Sequence, residues 1–217
     1  MHLPAYTDVT GLAGIAVALA APLVAIPGVR KLGRPRLAWL LAAVVIVVLL
    51  PLGTLSVAAC ERGATGDLSL TTLVLLGSAI LRCVTGWPPV DRGARFALLA
   101  FVSLAALALY PMALGLGSFD PYRLGYGSPW LLGALIAVAL AAWFGRLDLV
   151  ATVIALAILA WAARWYESNN LWDYLLDPLV SFYALGFVAL RGIKRILRWL
   201  RGRNHAVGHE RPRGCQL

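Results

Sequence analysis

The chain is expected to fold as an all-α, polytopic integral membrane bundle of about seven transmembrane helices. Three observations lead there. First, 61% of its 217 residues are apolar types, 13% are charged, and the mean hydropathy is +0.81. A soluble domain carries about 45–50% apolar and about 25% charged residues, so a water-soluble enzyme, a disordered chain and a secreted disulfide scaffold are all excluded. Second, the apolar residues gather in runs near the ~20 residues needed to cross ~30 Å of hydrocarbon. Third, the basic residues are strongly segregated among the junctions between those runs.

The runs lie at roughly 10–28, 37–59, 68–86, 96–116, 129–145, 149–166 and 174–191. The first follows MHLPAYTDV, which has no Lys or Arg. A signal peptide opens with a positive segment, so this run reads as an uncleaved helix with its N-terminus outside. Arg82 near the end of the third run can snorkel to the headgroups. Only Arg146, Leu147 and Asp148 separate the fifth and sixth runs, a tight hairpin. Pro51, Pro111 and Pro178 fall in outer halves, where bends would open a cleft.

Positive residues accumulate on the cytoplasmic side. The junctions around 29–36, 82–95 and 146, together with the tail after 190, hold sixteen of the nineteen Lys and Arg; the opposite side holds Arg62, Arg123 and Arg164. Seven spans with the N-terminus outside and the C-terminus inside satisfy every junction. Residues 1–191 then form the membrane domain and 192–217 a basic cytoplasmic tail. Along 189–203, Leu190, Ile193, Leu197 and Leu200 share one helical face while Lys194, Arg195, Arg198 and Arg201 cover the rest. That start reads as an amphipathic helix on the inner headgroup layer, and 204–217 as disordered. The net charge of +9 therefore points to anionic lipid headgroups as partner, with no nucleic acid.

Seven of the ten acids fall on the outer side. In the segment 60–72, Asp67 or Ser69 can cap the third span, and the free helix start beside Arg62 can bind an anion. In the loop 117–129, Asp120 and Arg123 can pair. In 165–178, Glu167, Asp173 and Asp177 stand among Trp and Tyr residues of an interfacial belt. If the seventh span begins near Leu171, Asp173 and Asp177 share a helical face. They could then hold a cation or act as a general base. Asp67, Asp120, Arg123, Glu167, Asp173 and Asp177 are thus the candidate site residues of an enzyme working at the outer face.

Against an enzyme, no phosphate loop, serine elbow or HExxH motif occurs. No histidine lies in a span, and Gly208 and Pro212 disfavour a helix that would pair His205 with His209, so no metal or cofactor is expected. Cys60, Cys83 and Cys215 share no side and spacing for a disulfide. No charge sits mid-span, which argues against a proton-coupled transporter. The fifth span carries a stripe of small residues, Gly133, Ala137, Ala141 and Gly145, where another helix or subunit can approach closely. The leading expectation is a non-catalytic accessory or scaffold component of a cell-envelope assembly or biosynthesis system in a bacterial inner membrane. A membrane enzyme acting on a lipid-linked substrate at the outer, periplasmic face is the alternative, and a small-solute transporter the second.

Overall fold

A computed structural model describes residues 6–208. Its elements are almost all helical, as the apolar runs require. Helix α1 (Tyr6–Ala20) continues through a 3-10 turn (Ala21–Ala25) into the single turn α2 (Pro27–Arg30), and α3 spans Arg34–Leu49. A two-residue hairpin pairs Pro51 with Ser56 and Leu52 with Leu55. Then come α4 (Val57–Thr65), α5 (Leu70–Thr85), α6 (Arg92–Ala113), a 3-10 turn (Pro121–Gly125), α7 (Pro129–Phe144), α8 (Asp148–Ala162), α9 (Leu171–Leu175) and α10 (Pro178–Gly208).

Two helical stretches are long and apolar enough to cross a membrane, Tyr6–Ala25 and Arg92–Ala113. Helices α3, α5, α7 and α8 have 15 or 16 residues, or about 24 Å at ~1.5 Å per residue, short of ~30 Å.

Two expected elements are different. The run 37–59 is not one helix: α3 stops at Leu49, and Ser56 starts α4 by accepting the amide of Ala59 at 3.1 Å. Pro51 has no N–H to continue the α3 ladder. The seventh run is broken as well. Asn170 caps the short α9, the chain extends at Leu176, and α10 begins at Pro178, where a missing N–H costs nothing. Helix α10 then runs 31 residues without a break through the 191/192 boundary and through Gly208. Residues 204–208 are therefore helical; His209, Glu210, Arg211, Arg213 and Cys215 lie outside the described residues. Of the three prolines only Pro111 sits inside a helix, in its last turn, so no set of three bends opens a cleft.

The main core gathers α5–α10. Leu98, Leu99 and Val102 of α6 meet Val153 and Ile154 of α8, with Tyr174, Leu175 and Val180 from the last segment. Two smaller clusters hold α1, α3 and α4 to α5. Many large apolar side chains remain outside, among them Trp39, Leu104, Trp130, Phe144 and Phe182, each at least 70% exposed. The stripe Gly133, Ala137, Ala141 and Gly145 is exposed along its whole length; α7 packs on α8 through its Leu131–Leu135–Ala142 face instead.

Candidate functional site

Four segments distant in sequence converge at one end of the bundle: the start of α1, the 57–69 stretch, the 117–128 connection and the 163–177 connection. Their polar side chains meet in three knots.

The first knot centres on Arg62 of α4. Its Nε donates to Asp67 Oδ1 at 2.6 Å and its Nη2 to Asp67 Oδ2 at 3.2 Å, a side-on pair. Nη1 reaches Asp8 of α1 at 2.9 Å, and Nη2 reaches Glu167 at 3.4 Å. The Arg62 and Asp67 side chains are each 15% exposed, whereas Glu167 is 65% exposed. The hydrogen bond that Arg62 donates to Asp67 is the largest influence raising the Arg62 pKa above its ordinary value, overcoming the opposing effect of burial. Gly11 of α1 makes the knot possible, because a Cβ there would collide with the Arg62–Asp67 pair.

The second knot is built on Asp177, a buried carboxylate. Its Oδ2 accepts the Ser69 amide at 2.9 Å, the Ser69 hydroxyl at 2.7 Å and the Thr72 hydroxyl, while Oδ1 accepts the Val180 amide at 2.8 Å. It therefore starts α10 and also occupies the N-terminus of α5, where amides and helix dipole favour a negative charge. The anion expected at that helix start is the chain's own Asp177. Ser69 caps α5 as expected, with Thr72 N to Ser69 Oγ at 3.3 Å. Thr71 adds a bond from its hydroxyl to the Leu175 carbonyl at 2.5 Å.

The third knot joins the two connections. Tyr122 OH donates to Asp173 at 3.0 Å, and Ser168 also donates to that carboxylate. Partial burial, followed by the Asp173 charge, pushes the Tyr122 phenol above its ordinary pKa. Asn170 is fully buried: Oδ1 accepts the Trp172 amide at 2.9 Å, and Nδ2 donates to the Tyr122 carbonyl at 3.0 Å. Gly125 lies so close that a Cβ would overlap the Asn170 amide. Tyr166 and Tyr174 stack at 5.1 Å, and the Tyr174 hydroxyl lies 3.0–3.3 Å from three backbone atoms of residues 166 and 168.

The six sequence candidates thus fall apart into separate roles. Asp67 pairs with Arg62, and Asp177 joins α5 to α10. Asp173 binds Tyr122 and Ser168, on a different helix from Asp177, because the chain breaks at 176–177; the shared helical face does not form. Asp120 Oδ1 accepts the Tyr122 amide at 3.0 Å and starts the 3-10 turn. Arg123 is exposed, and among the described residues every ion pair belongs to Arg62, so Asp120 and Arg123 do not pair. A cavity of about 410 Å³ at this end is lined by Tyr126, Trp161, Ala162, Arg164 and Asn169, and none of the six candidates lines it. Among the described residues no group of three His, Cys, Asp or Glu is placed to hold a metal ion. Cys60 and Cys83 are free thiols.

Sequence reasoning named Arg62 only as a helper, took Tyr166 as part of the interfacial belt, counted Asn170 only as a polar member of the 165–178 loop, and passed over Tyr122. A signal was present for Asn170: Asn is a favoured N-cap residue, and the helix Leu171–Leu175 starts directly after it. No protein-family model, characterised protein or solved structure matches this chain.

Proposed function

We propose that this chain is a multi-pass integral protein of a bacterial inner membrane, serving as a non-catalytic accessory or scaffold component in cell-envelope assembly or biosynthesis. The observation that carries the reading is the state of the outer carboxylates. Asp67 and Asp120 are taken up within their own segments, by Arg62 and by the Tyr122 amide, while Asp173 and Asp177 hold distant segments of the chain together. A general base or cation ligand needs a carboxylate turned toward a substrate; here only Glu167 is largely exposed.

Several features support the membrane part. The two long apolar stretches have 39% and 33% of their windows buried, so a large part of each is left without full burial by the rest of the chain. Helices α1, α3, α5, α6, α7, α8 and α10 supply seven traverses. The four short ones fit if the bilayer thins and flanking arginines snorkel. With the N-terminus outside, all three polar knots lie on the periplasmic side. The exposed stripe Gly133–Ala137–Ala141–Gly145 is the face on which a partner helix would approach.

The test is purification of the tagged full chain in mild detergent after in-membrane crosslinking at Ala137→Cys. The scaffold reading expects a discrete crosslinked species with a second membrane protein, unchanged by Glu167→Gln or Arg123→Gln. A chain that crosslinks to nothing, or whose cellular role vanishes with Glu167→Gln at normal protein level, overturns it in favour of the enzyme.

A further inference from the structure

From beside the Asp177 knot toward the opposite end of the bundle, a groove of about 460 Å³ runs between α5, α10 and the connection before α6. Its walls are mostly apolar, with Leu75, Leu76 and Ala79 on one side and Leu179 and Val180 on the other, and the hydroxyls of Thr72 and Ser78 interrupt the α5 side. One end is cationic, with Arg82 and Arg95 both lining it and both exposed. The Arg95 guanidinium donates to Tyr183 OH and lies 5.8 Å from the centre of that ring, which holds it in place. Neither arginine has a carboxylate partner among the described residues, since every ion pair there belongs to Arg62. From Thr72 to Arg82 the groove follows ten residues of α5, about 15 Å at ~1.5 Å per residue. That is one leaflet of a ~30 Å hydrocarbon core.

We propose that this groove seats one anionic glycerophospholipid from the leaflet on the arginine side. One acyl chain lies along Leu76, Ala79 and Val180, and the phosphate sits between Arg82 and Arg95. Guanidinium groups bind phosphate oxygens through paired, charge-assisted hydrogen bonds. Two of them together, without a carboxylate, select a headgroup that carries no ammonium to cancel its phosphate. The length match and the charge at one end only are what a lipid requires and a soluble anion does not. The inference rests on the membrane reading of the chain.

The experiment is native mass spectrometry of the purified full chain in neutral detergent, titrated with phosphatidylglycerol or with phosphatidylcholine of the same chains. One phosphatidylglycerol is expected per chain, with a Kd about tenfold below that of phosphatidylcholine, a ~1.4 kcal/mol preference. Arg82→Gln with Arg95→Gln should erase that preference. Arg195→Gln with Arg198→Gln, exposed arginines that do not line the groove, should weaken binding less than about threefold, as for screened surface charges. Ala79→Trp should block the chain and abolish the 1:1 species. Ala79, Arg82 and Arg95 are exposed, and an unchanged melting temperature confirms that each variant is folded; the arginine pair decides alone if the Trp variant fails. Equal binding of the two lipids, or an equal loss with the Arg195/Arg198 pair, overturns the proposal. So does a dimer that retains no lipid, which would put a second copy in the groove. Carbonate washing of membranes separates the two levels. A chain released to the supernatant topples the membrane reading, and one that stays but binds no phosphatidylglycerol topples only the groove.

Discussion

Tyr166 carries the one buried side-chain polar atom that lacks a hydrogen-bond partner among the described residues, its hydroxyl oxygen. A stranded buried polar group costs about 1–3 kcal/mol, and the ring itself is well stacked on Tyr174. Tyr166→Phe should therefore raise thermal stability in detergent by about 1 kcal/mol, read as an increased Tm. Burial is also the largest cause holding the Tyr166 phenol above its ordinary value of 10.0. The fold thus prefers the neutral phenol: the contribution is complete below pH 10 and is lost as the pH climbs toward the higher folded value. The Tm advantage of the Phe variant should accordingly widen above pH 10. Asp177 is the opposite case, a carboxylate with four donors. Asp177→Ala strands the Ser69 and Val180 amides and should cost about 3 kcal/mol or more, with Asp177→Asn costing less. An unchanged Tm in Asp177→Ala would show that the α5–α10 link contributes nothing. Gly11→Ala should expel the Arg62–Asp67 pair from α1 and lower the Tm by about 2 kcal/mol equivalent, partly recovered by Arg62→Met with Asp67→Asn.

Among the elements, the unbroken apolar helices were the most readable. The apolar runs at 68–86, 129–145 and 149–166 are helices α5, α7 and α8, with ends shifted by up to four residues. Apolar runs and charge spacing report such segments well, because the pattern is carried by many residues at once. The errors came where an apolar run contains a break. Within 37–59 the side chains stay apolar across Pro51 and Gly53, so hydropathy alone runs through the hairpin; the signal was the Pro–Gly pair and the Ser56 cap. In 174–191 the signal was Asp177–Pro178, a cap followed by proline at the first helical position. The site was less legible than the fold. The relevant outer residues were visible as polar types, but the pairs that join the segments, Asn170 with Tyr122 and Asp177 with Ser69, lie 48 and 108 positions apart, and no local spacing announces such a pairing. The 3-10 turn and α9 offer an element-scale prediction. Gly125→Ala should force the Asn170 side chain off its cap and cost about 2 kcal/mol, measurable as a lower Tm and as faster proteolysis in 117–128.

For the molecule as a whole, the polar knots define one end and the arginines the other. Arg34 lies against Gly86, Arg95 bonds Tyr183, and Arg191 stacks 4.8 Å from the centre of the Phe96 ring. If that axis is the membrane normal, exposed Cys60 on α4 should react with an impermeant maleimide in intact cells, while Cys83 on α5 should react only after permeabilisation. The reverse pattern would invert the orientation. Asp177 also has a consequence for how the chain is made. The Ser69 amide and hydroxyl must wait for a residue 108 positions downstream. At ~5–20 residues per second, that is about 5–20 s of synthesis during which the Ser69 amide and hydroxyl lack their carboxylate. The last helix to emerge is thus the latch for one of the early ones, and a ribosome stalled before Asp177 should leave a nascent bundle that quality-control proteases recognise.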